Sequence, residues 1–176
     1  MTEKDVENSK PVHLPQTVSG DALRDTVSAF PTGITVITTT DKGRDIGLTV
    51  SSFSSLSLDP ALVSFSLAHT SSKIDYFQVG TQVGISVLAD HQGQVARQFS
   101  RHGVDRFAGV GTWRNSGAAL IADAAAWFDG EIVGAFPGGD HTVFTVAVLA
   151  CDSPDDARPL LYQRGRMSAW AVEYSI

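Results

Sequence analysis

An imidazole set in a glycine bend beside a carboxylate, Gly138-Gly139-Asp140-His141-Thr142, is the sharpest chemical feature of this sequence. Two apolar stretches enclose the bend, so the ring is held at a defined point. Gly138 and Gly139 permit positive φ, and Asp140 can bond either the turn or the imidazole. An imidazole so placed can order a carboxamide or stabilise charge developing beside it; an exposed hairpin histidine has the same sequence. Far upstream, Ser57-Leu58-Asp59-Pro60 closes a hydroxyl-rich run that begins Thr49-Val50-Ser51-Ser52-Phe53. Small side chains there leave the backbone open to a flat ring, whose oxygens its N–H groups can reach. A plain β-strand rich in Ser and Thr reads the same way. Ser71-Ser72-Lys73 opens a predicted helix, where free N–H groups, two hydroxyls and an ammonium suit a phosphate. It reads equally as a helix cap with a solvated lysine. Phe99-Ser100-Arg101, at the end of the next predicted helix, adds a ring and a second cation.

Other chemistries find little support. Gly109-Val110-Gly111-Thr112-Trp113-Arg114 lacks the third glycine of a dinucleotide fingerprint, and no βαβ unit surrounds it. His13, His69, His91, His102 and His141 lack metal-ligand spacing, and Ser86 is not on a nucleophile elbow. Cys151 is the single cysteine, which excludes an internal disulfide and reads as a thiol at a strand end. A net charge of −6 argues against nucleic acid, whose phosphates call for a basic face. No stretch has the length and apolarity of a membrane span or signal peptide, so no membrane partner and a cytoplasmic location are expected.

The elements that must position these groups are mostly strands. With 176 residues, 43% of them hydrophobic, the chain can bury a full core. Residues 1–18 read as a polar, mobile arm, and 19–176 as a single domain. A short helix capped by Ser19 or Asp21 places Leu23, Val27 and Phe30 on one face before Pro31 stops it. Strands are expected at 34–40, 45–55, 62–67, 84–88, 124–135, 142–150, 160–162 and 167–172, with a turn at Asp41-Lys42-Gly43. Val63, Phe65 and Leu67 alternate with Ser64 and Ser66, which marks a half-buried strand. Helices are expected from Ser71, carrying Ile74 and Phe77, and over 91–101, carrying Val95 and Phe99. So many strands with so few helices favour a mainly β, closed or nearly closed antiparallel barrel, since closure removes exposed edges.

Taken in order, Phe30-Pro31-Thr32-Gly33, Thr49 to Leu58 with Asp59-Pro60, Thr70-Ser71-Ser72, Phe99-Ser100, Gly117 to Leu120 and Gly139-Asp140-His141 resemble the short-chain flavin reductases. The resemblance spans residues 24 to 170. It implies an FMN-binding split β-barrel, an antiparallel Greek-key barrel with a few short helices, assembled as a homodimer. It further implies FMN or FAD as flavin, NADH or NADPH as hydride donor, and a flavin-dependent monooxygenase receiving the reduced flavin. Carried over by position, Thr49, Val50, Ser51, Ser52 and Phe53 would edge the flavin ring, with backbone contacts from Ser66, Leu67 and Ala68. Ser71, Ser72 and Lys73 would cradle phosphate, flanked by Phe99, Ser100 and Arg101. His141, oriented by Asp140, would face the nicotinamide. The sequence departs from the family at His69, where a basic residue is common, and at Trp127-Phe128, where many relatives carry cysteine. Two other uses stay open: a tight flavoprotein with its own organic substrate near Trp113, Trp127 and Phe136, or a non-catalytic flavin- or haem-binding barrel.

Overall fold

In the computed structural model, which describes residues 15–169, an exposed helix α1 (Gly20–Val27) leads through β1 (Thr32–Gly33) into the hairpin of β2 (Thr35–Asp41) and β3 (Arg44–Val50). Ser19 caps α1 by accepting the Ala22 N–H at 3.3 Å. The helix ends at Val27, short of Pro31, and the Ser28 hydroxyl turns back to the Asp25 carbonyl. The β2–β3 turn has φ of 50° at Lys42 and 78° at Gly43. Positive φ at both central residues is what a type I′ hairpin requires, and it agrees with the twist of the strands.

The chain continues through β4 (Ser54–Leu58), β5 (Ala61–Ala68), β6 (Gln82–Val87), α2 (Gly93–Ser100), β7 (Thr112–Trp113) and β8 (Leu120–Ile121). Two long strands, β9 (Ala126–Gly138) and β10 (His141–Asp152), precede the small hairpin of β11 (Leu160–Gln163) and β12 (Arg166–Ala169). Seven of these form one antiparallel sheet in the order β3-β2-β6-β9-β10-β5-β4. Strands β1, β11 and β12 form a second sheet, and β7 pairs with β8.

Ile37, Leu48 and Val50 from one end of the seven-stranded order share a buried cluster with Val63, Phe65 and Leu67 from the other. That is possible because the sheet curls until its two ends enclose one interior. Among the described residues no ladder joins β3 to β4, so the barrel is split along that seam. The expected alternation in β5 holds: Val63, Phe65 and Leu67 are buried while Ser64 and Ser66 are not. Phe65 stacks on Phe144 at 5.2 Å and meets Phe77 edge-on at 5.9 Å. Fully burying each ring contributes about 1.5–3 kcal/mol. Curvature comes with irregular register: Leu56 in β4, Val133 in β9 and Leu149 in β10 each lie at a register shift. An extra residue at such a shift bends its strand and is left outside the ladder. All three are exposed.

A second core lies outside the barrel wall. Ile34, Val36, Leu88, Ala96, Phe99, Ile121 and Leu160 are buried together, so α2 packs against the face of β2 opposite Ile37.

Three expectations about elements need correction. The strand expected to run unbroken to Ser55 stops at Val50 and resumes at Ser54, because β3 pairs with β2 while β4 must reach β5 across the split. No α-helix begins at Ser71. The segment makes turns and then one 3₁₀ turn at Ile74–Tyr76, and its first residues lack a helix's aligned N–H groups. Leu23, Val27 and Phe30 stand 55%, 57% and 71% exposed rather than against the core, and Phe30 lies past the end of α1. Of the arm read over 1–18, residues 1–14 lie outside the described residues, and 15–18 are exposed without regular structure. His13 and the last three residues of the strand expected over 167–172 also lie outside them.

Candidate functional site

A cleft of about 400 Å³ opens where β3 meets the turn after β5 and the loop after α2. Its walls include Arg44 and Asp45 from β3, Ser72 and Lys73 from the turn, and Arg101, His102 and Arg106 from the loop. The fold thus brings together Ser72, Lys73 and Arg101, which the sequence singled out in two separate segments. Arg44, His102 and Arg106 join them. Arg44 and Arg106 gave no sequence signal beyond being isolated basic residues, because only the curl of the sheet brings them to this cleft.

Charge defines the cleft. Among the described residues, no carboxylate lies within salt-bridge distance of Arg44, Lys73, Arg101 or Arg106. Arg44 Nη2 donates to the Tyr76 hydroxyl at 3.3 Å, and Lys73 Nζ sits 5.7 Å from the centre of the Tyr76 ring. Arg106 is gripped by carbonyls: Nε and Nη2 donate to Arg101 O at 2.9 and 2.7 Å, and Nη1 to Gly47 O at 2.6 Å. Burial pulls its pKa below the usual guanidinium range, yet an arginine stays charged at physiological pH. The two nearby acids are engaged elsewhere. Asp45 is paired with Arg114 at 2.7 Å, and Asp105 accepts the Phe107 N–H at 3.0 Å. Several cations without partnered anions make a site that fits a phosphate or pyrophosphate group.

Packing from behind keeps the wall rigid. A Cβ on Gly47 would come within 2.6 Å of Phe99 Cε1 and 3.1 Å of Phe107 Cζ. Phe99 is fully buried, with its ring edge-on to Phe107 at 4.9 Å. It therefore supports the cleft from the core, which corrects the expectation that its ring flanks a ligand. Ser100 lies outside the cleft walls, and its hydroxyl donates to Arg97 O at 2.8 Å. Ser71 is not among the wall residues either, and its hydroxyl accepts the Lys73 N–H at 3.3 Å.

The hydroxyl-rich segment divides its work. Thr49 donates to Ala96 O at 2.8 Å and ties β3 to α2, while Val50 points into the barrel core. Ser51 is exposed at the strand break. Ser52 Oγ accepts the Ser66 N–H and donates to Ser66 O, both at 3.0 Å, joining the crossing chain to β5. Phe53 packs on Phe128 at 5.3 Å. Ser66 therefore has its backbone groups on that side engaged by Ser52, and Ala68 O accepts the Ser71 N–H at 2.9 Å. The Leu67 side chain is buried in the core. These contacts narrow the expected role of Ser66, Leu67 and Ala68 as free backbone partners for a ring.

His141 opens β10 directly across from Ala68, after the two-residue turn Gly139-Asp140. Gly139 has φ of 71°, the conformation glycine is needed for at the first turn position. His141 Nδ1 lies 2.7 Å from Asp140 Oδ1. A carboxylate only accepts, so the proton between the two groups sits on Nδ1, the tautomer in which Nε2 of an uncharged imidazole is an acceptor. The same contact, with the imidazole's charge, lowers the Asp140 pKa. His69 completes the corner: its N–H donates to Asp140 O at 2.9 Å, and its Nε2 is 3.2 Å from Thr142 Oγ1. Trp113 and Trp127 meet edge-on at 5.0 Å, while Phe136 lies over Gly134.

The flavin reductase like domain family matches residues 27–171, which include the cleft, the hairpin and every described core strand. The chain belongs to this family. This chain is 34% identical over 154 residues to an NADH:FMN oxidoreductase of Rhodococcus erythropolis, covering 84% of this chain and 80% of that one. It is 41% identical over 124 residues to the reductase component of the flavin-dependent trigonelline monooxygenase of Acinetobacter baylyi, covering 69% of this chain. It spans 40% of that relative's length and 47% of a Rhizobium meliloti homologue, so some relatives are much longer. A solved Streptomyces globisporus NADH:FAD oxidoreductase, in complex with NAD and FAD fragments, superposes with a TM-score of 0.83 at 30% identity, covering 92% of this chain and all of that one. The expected split barrel is therefore the fold of this flavin reductase family member.

Proposed function

We propose that this chain is an NAD(P)H-dependent flavin reductase that passes reduced FMN or FAD to a partner flavin-dependent monooxygenase. The observation that carries the reading is that one cleft is lined by Ser72, Lys73 and Arg101, and that among the described residues no carboxylate pairs with its lysine or arginines. A bound flavin supplies the hydride-accepting ring, and NADH or NADPH supplies the donor. The chain's own work is to bind and orient. Lys73, Arg101, Arg44 and Arg106 hold the flavin phosphate, while Ser51 and Ser52 stand at the strand break toward the ring. Asp140 keeps the His141 proton on Nδ1, leaving Nε2 toward the nicotinamide amide. Direct transfer between two rings calls for no strong general acid.

The same reading makes the chain a cytoplasmic homodimer with one domain over 19–176 and an arm before it. Leu56 and Leu58 in β4, Leu23 and Val27 in α1, and Phe30 beyond that helix are large apolar groups exposed in the single chain, and such groups suit contact with a second copy. Among the described residues no helix is long and apolar enough to cross a membrane.

The deciding experiment follows loss of reduced nicotinamide absorbance with NADH or NADPH, adding FMN, FAD or no flavin. Oxidation that saturates with added flavin is expected. Flavin bound with no oxidation by either nicotinamide would overturn the reading and favour a silent binding barrel. Oxidation requiring an added organic acceptor instead of free flavin would favour a dedicated flavoprotein.

A further inference from the structure

Asp45 is an acidic residue in the wall of a cleft otherwise rich in cations, and it is held by a residue outside that cleft. Arg114 Nη2 reaches both Asp45 carboxylate oxygens at 2.7 Å, and the Thr40 hydroxyl donates to Oδ1 at 3.0 Å. Arg114 also donates from Nη1 to Gly117 O at 2.8 Å, so the guanidinium is fixed from both sides. Its segment is in turn anchored on a buried carboxylate. Asp129, 1% exposed, accepts from Asn115 Nδ2 and the Ser116 N–H, both at 3.0 Å, and from the Ser116 hydroxyl. Three donors on one buried oxygen hold the loop carrying Arg114 in a single place.

We infer that Arg114 is a positioning residue that sets the phosphate affinity of the cleft by neutralising Asp45. Four cations, Arg44, Lys73, Arg101 and Arg106, which have no carboxylate partner among the described residues, line the cleft with Asp45 and Asp105. With Asp45 paired to Arg114, its charge is cancelled where a phosphate would feel it; unpaired, it would repel that phosphate. The side chains of Asp45 and Arg114 are 23% and 43% exposed, so the effect is screened but not abolished. This inference rests on the cleft being the flavin phosphate site.

The test titrates FMN and riboflavin, which lacks the phosphate, into the full-length protein and follows flavin fluorescence at low salt. Arg114→Gln is expected to weaken FMN binding about five-fold, the scale of one partly screened charge acting across a wet cleft. Asp45→Asn is expected to tighten it by about the same factor, and the double substitution to return it near the starting value. Arg114→Lys should keep most of the affinity, and riboflavin binding should stay unchanged throughout. Opposite signs for the two single substitutions are the signature of charge. If both weaken FMN, or riboflavin follows FMN, the pair is structural and the inference fails while the cleft assignment stands. If the unsubstituted protein binds riboflavin as tightly as FMN, the cleft assignment falls and this inference with it.

Discussion

The cleft and the His141 hairpin hold their polar groups in different ways. In the cleft, Arg106 is gripped by two backbone carbonyls, and the wall behind it is filled by Phe99 and Phe107 against Gly47. In the hairpin, Asp140 is almost wholly exposed and His141 about half so; their side chains are fixed chiefly by each other, as neighbours at the end of a two-residue turn. A binding site for a charged group gains from rigidity, because ordering was already completed when the protein folded. A contact to a second, exchanging substrate gains from an exposed position. If the proposed reaction is right, damage to the cleft should appear as lost affinity and damage to the hairpin as lost turnover.

The largest effect should come from filling the space behind the cleft. Gly47→Ala sets a Cβ 2.6 Å from Phe99, a fully buried ring with no room to retreat. Overpacking of this kind costs about 1–3 kcal/mol. Chemical denaturation should show that loss, with weakened flavin binding beside it. An unchanged unfolding midpoint would mean that the wall is looser than its packing indicates. Next in size is Lys73→Met, which removes one unpartnered cation while keeping the bulk of the side chain. FMN affinity should fall about ten-fold, with turnover at saturating flavin nearly unchanged. A fall in turnover alone would reverse the division of labour between the two regions.

Legibility in the sequence followed the range of the interactions. β5 was readable from its alternation, and the β2–β3 turn from Lys42-Gly43, because both are local patterns on one strand or hairpin. Ser72, Lys73 and Arg101 were visible as residue types, yet their meeting in one cleft depends on the curled sheet. The break at Ser51 was hidden because Ser and Thr suit a strand and a crossing segment equally well; the deciding fact is which distant strand β4 must pair with. A helix at Ser71 looked sound from its capping residues, but the segment before β6 makes only one 3₁₀ turn. Arg106 and the Arg114–Asp45 pair, partners 59 and 69 residues apart from what they bind, left no local trace.

On the hairpin side, His141→Ala should lower turnover with NADH or NADPH about ten-fold. Flavin affinity should move by about two-fold at most. The measurement is a split between turnover and flavin dissociation constant in the same preparation. Equal losses in both would mean that His141 contributes to the flavin site itself. An unchanged rate would remove it from the reaction.

The smallest effect concerns Asp140. Its pKa is lowered from 3.8, first by the hydrogen bond from His141 and then by the charge of that ring. A carboxyl whose folded pKa is depressed stabilises the fold fully above its unfolded value and loses that contribution as pH falls through the folded one. Asp140→Asn should therefore reduce stability slightly at pH values above 3.8, and the difference from the unsubstituted protein should vanish on acidification below that point. Because the carboxylate is exposed, water screens the pair and the change in stability stays small. The clearer readout is turnover: asparagine can offer Nδ2 as well as Oδ1 and so releases the ring from its fixed tautomer. Loss of rate with little loss of stability would show that Asp140 acts on the orientation of His141; the same rate with either residue would show that the turn alone holds the ring.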